Sequence, residues 1–240
     1  MKTTYLLCIL TMLLITSCQK SEVAPEQSSL STLAKAARRG NDEIQTLIRA
    51  WNEWVFTRPF SVAPFNDPTG EFQYLDQPYS SGIFMLGPGA SPDPIYRTVT
   101  ISLSQYQYVF TPLVGRTAYA GPCDPTSGPK GGQTFEAYFQ IALKESLNGP
   151  SGLILSWDGV SLLSKNPNEL RANSGVWSFT VHPDYSGCET PSTTVYADGY
   201  WAKMPLTLGT HTLIVGGAID AKKEKFTFSS IVTYTIHVIE

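Results

Sequence analysis

Apolar positions recur at helical spacing near residue 50 and again near residue 140; elsewhere they alternate with polar ones in short runs. Ile44, Leu47, Ile48, Trp51 and Val55 fall three or four apart, which lines one face of an amphipathic helix. Asn41 supplies a capping residue, Asp42 and Glu43 place acids at the positive end of that helix, and Pro59 stops it. From Pro59 onward, short β-prone runs are separated by Pro, Gly, Asn and Asp. Strands are predicted over 82–86, 98–104, 108–114, 153–157, 176–182, 193–197, 211–216 and 231–239. Thr98-Val99-Thr100-Ile101-Ser102-Leu103 and the run from Val232 to Val238 alternate as strands buried on one face should. Phe135, Tyr138, Phe139 and Ala142 break this series and predict a second helix over 134–147 lying across the sheets, with Asn148-Gly149 as its stop. Asp158-Gly159 and Asp198-Gly199 each follow a strand-like run and suit tight hairpin turns. Together these elements predict a mostly β fold: a two-sheet antiparallel sandwich, jelly-roll or immunoglobulin-like, with an N-terminal helix and one inserted helix.

The first residues do not belong to that fold. Lys2 precedes a short apolar run from Tyr5 to Ile15 that ends in Ile15-Thr16-Ser17-Cys18. A helix needs about 20 apolar residues to cross the hydrocarbon core, so the run reads as a signal peptide and not as a retained anchor. Its ending resembles the lipobox of bacterial lipoproteins, which implies cleavage after residue 17 and acylation of the Cys18 thiol. Several acyl chains on one terminus hold a membrane stably where one is marginal. Residues 18–30 are polar and contain one proline, the texture of a tether, and 31–240 read as one β-sandwich domain with its helix. Gln19 is not the aspartate that keeps many lipoproteins at the inner membrane. The expected location is therefore the outer membrane, on its periplasmic side or at the cell surface.

Composition narrows the function classes. Of 240 residues, 42% are apolar and only 15% charged, with 17 Lys and Arg against 20 Asp and Glu. A net charge of −3 lacks the basic face that displaces counterions from phosphates, so no nucleic-acid partner is expected. Low charge and many turn residues also disfavour a disordered chain or a coiled coil. Of the four cysteines, Cys8 leaves with the signal and Cys18 takes lipid. Cys123 and Cys188 remain in turn-rich stretches, and outside the cytoplasm two such thiols most simply form one disulfide closing a loop of about 65 residues. Neither belongs to a CxxC pair.

A longer series follows one order along the chain: Trp51-Asn52-Glu53-Trp54, Asp67-Pro68-Thr69-Gly70, Asp198-Gly199-Tyr200-Trp201, Pro205-Leu206, Gly209-Thr210-His211-Thr212-Leu213 and Tyr234. It resembles a family of exported bacterial β-sandwich proteins and lipoproteins to which no activity is assigned. The resemblance covers about Ile44 to the end, and its closing segment is the specific part. It implies a sandwich and export, and supplies no reaction. Members of that family often carry cysteines after the Thr-Gly turn and after the arginine matching Arg97. This chain has Glu71-Phe72-Gln73 and Thr98-Val99 there instead.

No GxSxG, HExxH or P-loop is present, and no cofactor or metal is expected. His182, His211 and His237 fall on three predicted strands, where a shared zinc site would need a specific register. Any chain with 20 acids offers carboxylate pairs, and sequence cannot choose among them. What stands out is five Trp, 12 Tyr and 11 Phe among few charges. Most belong to the core, as β-sheets take up aromatics for packing. The plausible presenters of exposed rings are Tyr200 and Trp201, which point oppositely, Tyr106 and Tyr108, two apart on one strand face, and Trp54. The sequence thus predicts a monomeric, lipid-anchored envelope protein that binds a glycan or an envelope protein partner without catalysis. A carbohydrate- or ester-acting hydrolase and a purely structural envelope component are the alternatives. Coplanar exposed rings would mark the binder, convergent acids or a His–acid pair in a deep pocket the hydrolase, and a flat apolar patch the structural component.

Overall fold

A computed structural model describes residues 41–78, 82–121, 128–186, 193–223 and 225–240. The signal peptide, Cys18, the tether, Cys123 and Cys188 lie outside the described residues. Helix α1 (Asn41–Phe56) follows the predicted periodicity. Short 3-10 turns at Phe60–Val62, Pro64–Asn66 and Glu71–Tyr74 lead from it into the strands.

Two five-stranded sheets face each other. The first sheet orders β1 (Ile83–Met85), β3 (Tyr108–Ala120), β8 (Thr193–Pro205) and β6 (Arg171–Asn173), with β7 (Trp177–Phe179) also paired to β8. The second orders β2 (Ile95–Ser102), β10 (Phe226–Ile239), β9 (Gly209–Ala221), β4 (Ser151–Trp157) and β5 (Val160–Ser161). The sandwich is thus as expected in its layers but mixed in direction: β1 pairs parallel with β3 and β2 parallel with β10. The cause is connectivity. Strand β2 lies in the facing sheet, so the chain returns from it to β3 running in the same direction as β1.

The core divides by layer. Between the sheets lie Val99, Ile101, Leu113, Met204, Leu213, Tyr234 and their neighbours. On the outer face of the first sheet, the apolar stripe of α1 (Ile44, Leu47, Ile48, Trp51, Val55) covers Ile83, Met85, Phe110 and Trp201. Strand β8 is buried on both faces along nearly its whole length. That explains why Asp198-Gly199 does not turn. A Cβ on Gly199 would sit 2.6 Å from Gly115 Cα and 2.7 Å from the Val114 carbonyl, so this glycine permits close approach of β3 and β8. The other Asp-Gly pair does turn, with φ of 50° at Asp158 and 80° at Gly159, as a primed two-residue hairpin requires.

The inserted helix is two helices, α2 (Phe135–Ala142) and α3 (Lys144–Asn148), broken at Leu143. Thr134 caps α2 by accepting from Ala137 N. Phe139, Leu143 and Leu147 pack on Ala120 and Tyr196 at one end of the first sheet, and α3 also meets β9 of the second, just past which Lys223 N donates to Glu145.

A polar hub joins the 3-10 segment to both sheets. Asp67 accepts from the backbone nitrogens of Thr69, Gly70, Phe72 and Gln73 and from Gln73 Nε2. Burial pushes its carboxyl up, but the Gln73, Gly70 and Thr69 hydrogen bonds and the Arg97 charge outweigh that and hold it below the ordinary range. Arg97, 2% exposed, donates to the carbonyls of Asp67, Gly87, Pro88 and Phe65 and to the Tyr234 hydroxyl. Tyr234 donates in turn to the Gly87 carbonyl, and burial pushes its phenol up to about 12.

Candidate ligand-binding cleft

The hub fixes two walls of a cleft of about 480 Å³. Phe60 and Phe65, in edge-to-face contact at 5.4 Å, stand on one side of it. Phe226 and Phe228, two apart on β10 and within 11° of parallel, stand in its lining as well. Trp51 and Trp201 line it too, their centroids 5.3 Å apart, and the Pro88-Gly89-Ala90 loop completes it. Ser230 Oγ holds that loop through Gly89 N at 2.8 Å. Among the described residues the lining is almost wholly apolar; the charged side chain there is Arg116, whose guanidinium lies 4.2 Å over the Phe226 ring and donates to Ser146 Oγ at 2.7 Å.

The cleft follows the edge of β3. Consecutive residues Val114, Gly115, Arg116 and Thr117 all line it, together with Pro112 and Tyr119, so it meets the strand along its side and not on one face. Strand β1 pairs only with Tyr108, Val109 and Phe110. Beyond them, no backbone group among the described residues joins β3 on that side.

Pairing also tells which backbone groups face the cleft. Leu86 N donates to the Phe110 carbonyl, so Phe110 faces away from β8. On β8, Ala197 N donates to Ser174 Oγ and its carbonyl accepts from Ser174 N, so Ala197 faces away from β3. Its partner Thr117 therefore faces the open edge. Antiparallel ladders alternate in this respect, which places the N–H and C=O groups of Gly115, Thr117 and Tyr119 on the cleft side. The register shift between Pro112 and Val114 keeps that alternation in step, and Pro112 sits at an outward position where a missing N–H breaks no ladder bond.

The ring presenters expected from sequence fall differently. Trp201 is 3% exposed and stacks on Phe110 at 5.5 Å, contributing to the cleft only as part of its wall. Tyr200 points into the space between the sheets and donates to Asn168 Oδ1. Tyr106 lies in the turn before β3 and packs edge-on against Phe84, whereas Tyr108 packs toward α1 with Lys203 Nζ over its ring. The two tyrosines do not share a face, because the strand begins only at Tyr108. Trp54 is buried, donates to the Leu75 carbonyl and carries Arg58 over its ring. Sequence reading missed Phe60, Phe65, Phe226 and Phe228; only the Phe-x-Phe spacing at 226 and 228 was a usable signal.

A His–acid pair is present, outside the aromatic cleft. Asp158 Oδ2 lies 2.8 Å from His211 Nδ1, and Trp157 stacks on that ring at 4.9 Å. Nε2 sits 2.9 Å from the Thr207 carbonyl and 3.1 Å from Thr207 Oγ1. The Thr207 carbonyl and the Asp158 carboxylate both only accept, and a neutral imidazole has a single N–H to share between them. Asp158 Oδ1 accepts from Thr212 N, and the cluster holds the β4–β9 end together. His182 and His237 each have partners of their own, Asp184 and Thr210. Among the described residues no three His, Cys, Asp or Glu side chains gather around a common point.

Comparison with family models, curated proteins and solved structures finds no match for this chain.

Proposed function

We propose that this chain is a lipid-anchored envelope protein that binds, without catalysis, an extended apolar segment of a protein partner in the aromatic cleft. The observation that carries this reading is the coincidence of an apolar, aromatic-walled cleft with backbone groups on Gly115, Thr117 and Tyr119 that find no partner among the described residues. A strand laid along β3 satisfies those groups and sends alternate side chains toward Phe60 and Phe65 and toward Phe226 and Phe228, the mode known as strand addition. A neutral glycan finds rings here but few of the polar partners that orient sugar hydroxyls. Anchoring rests on Cys18 and its lipobox-like surroundings; among the described residues no helix is long and apolar enough to cross a membrane.

Two measurements test the reading. Extended peptides of alternating apolar and polar residues, titrated against the labelled protein, are expected to shift the Trp51 and Trp201 indole signals and to protect the Gly115, Thr117 and Tyr119 amides from exchange. Phe226→Ala should weaken that binding about tenfold, as loss of one buried aromatic contact does. Shifts produced by neutral oligosaccharides and not by peptides would replace the partner class. For the anchor, Cys18→Ser is expected to release the protein from the membrane fraction of its host, and unchanged sedimentation with membranes refutes lipidation at that residue.

A further inference from the structure

A second concavity of about 440 Å³ lies elsewhere on the molecule, between α2, α3, β6 and β8, and its character is opposite to that of the cleft. On its floor Asp198, 6% exposed, accepts a two-pronged contact from Arg171, Nε to Oδ1 at 3.2 Å and Nη2 to Oδ2 at 3.0 Å. The sequence had assigned this aspartate to a turn. In the structure the pair neutralises itself and fixes the guanidinium plane.

Three asparagines line the same space. Asn148 Oδ1 accepts from Arg171 Nη1 at 3.3 Å, Asn168 Oδ1 from the Tyr200 hydroxyl at 2.9 Å, and Asn173 Oδ1 from Gly175 N at 2.9 Å. Each amide is therefore oriented by its oxygen while its nitrogen is left over. Among the described residues the three Nδ2 groups and the Lys144 ammonium donate to nothing. The groove thus offers, among the described residues, a surplus of donors and the Lys144 charge, while Leu143 and Leu147 behind it are buried in the core.

We infer that this groove binds a carboxylate-bearing sugar, a hexuronic acid unit of a saccharide. Ring and hydroxyl oxygens accept from the asparagine amides, and the carboxylate meets Lys144. A neutral sugar leaves the ammonium unpaired. A small carboxylate that is not a sugar meets Lys144 but lacks the ring oxygen and the row of hydroxyls that a saccharide presents to the three amides.

The test is calorimetric titration of the full-length protein in detergent with trigalacturonate, maltotriose and citrate. Trigalacturonate is expected to bind at least tenfold more tightly than either of the others. Lys144→Ala and Asn148→Ala, both exposed positions, should each weaken it about tenfold, the range of one charge-assisted or well-placed hydrogen bond. Phe226→Ala should leave it unchanged, which separates this groove from the cleft. Equal binding of citrate and trigalacturonate, absence of trigalacturonate binding, or affinity indifferent to both groove variants overturns the inference.

Discussion

Replacing Trp201 with alanine is expected to lower the free energy of unfolding by about 3–5 kcal/mol. The indole lies within 2° of parallel to Phe110 at 5.5 Å and edge-on to Trp51 at 5.3 Å, and its Nε1 donates to the Ala172 carbonyl at 3.2 Å. Truncation opens a void continuous with the cleft and leaves that carbonyl without its side-chain donor. Strand β8 is held on both sides by β3 and β6, so the walls cannot close over the void. Urea unfolding followed by circular dichroism measures the loss. A loss below about 1 kcal/mol would show that the ring is not part of the core.

Arg97→Met is expected to cost a similar amount, about 3–5 kcal/mol, for a different reason. Methionine occupies much of the space but donates nothing. The carbonyls of Asp67, Pro88 and Phe65 then lose the guanidinium while Gly87 keeps the Tyr234 hydroxyl, each acceptor left unsatisfied costing about 1–3 kcal/mol before relaxation. Two of these residues, Pro88 and Phe65, line the cleft, so peptide affinity should fall together with stability. The same variant carries a pH signature. Asp67 titrates below its unfolded value, so its contribution is present above about pH 3.8 and is lost as the pH falls through the folded value. Without the Arg97 charge that folded value rises, and acid unfolding should begin at higher pH than in the parent protein. An acid transition at the parent's pH, with stability unchanged, refutes the role given to this hub.

How much of this was legible depends on the range of the signal. Helix α1 was, because its apolar stripe is local and regular, and so was the Asp158-Gly159 turn, whose two residues alone favour positive φ. The same dipeptide at Asp198-Gly199 misled, since burial on both faces overrode its turn chemistry and extended β8 to Pro205. Strands β5 and β6 escaped notice because two or three residues carry too little periodicity to register. The site was the least legible part. Phe60, Arg116 and Phe226 come from three distant segments, and the outward direction of Thr117 depends on β8 pairing that no local pattern encodes.

The parallel pairing of β2 with β10 bears on the order in which the molecule can be built. Residues 95–102 pair with residues 232–239, so an early-synthesised segment must wait for one made much later. Such long-range closure is entropically slow and raises the contact order. A chain of this topology cannot complete its second sheet until β10 has been made. Closure of β10 onto β2 should therefore be the slowest folding phase, and truncating β10 should abolish that phase before any other.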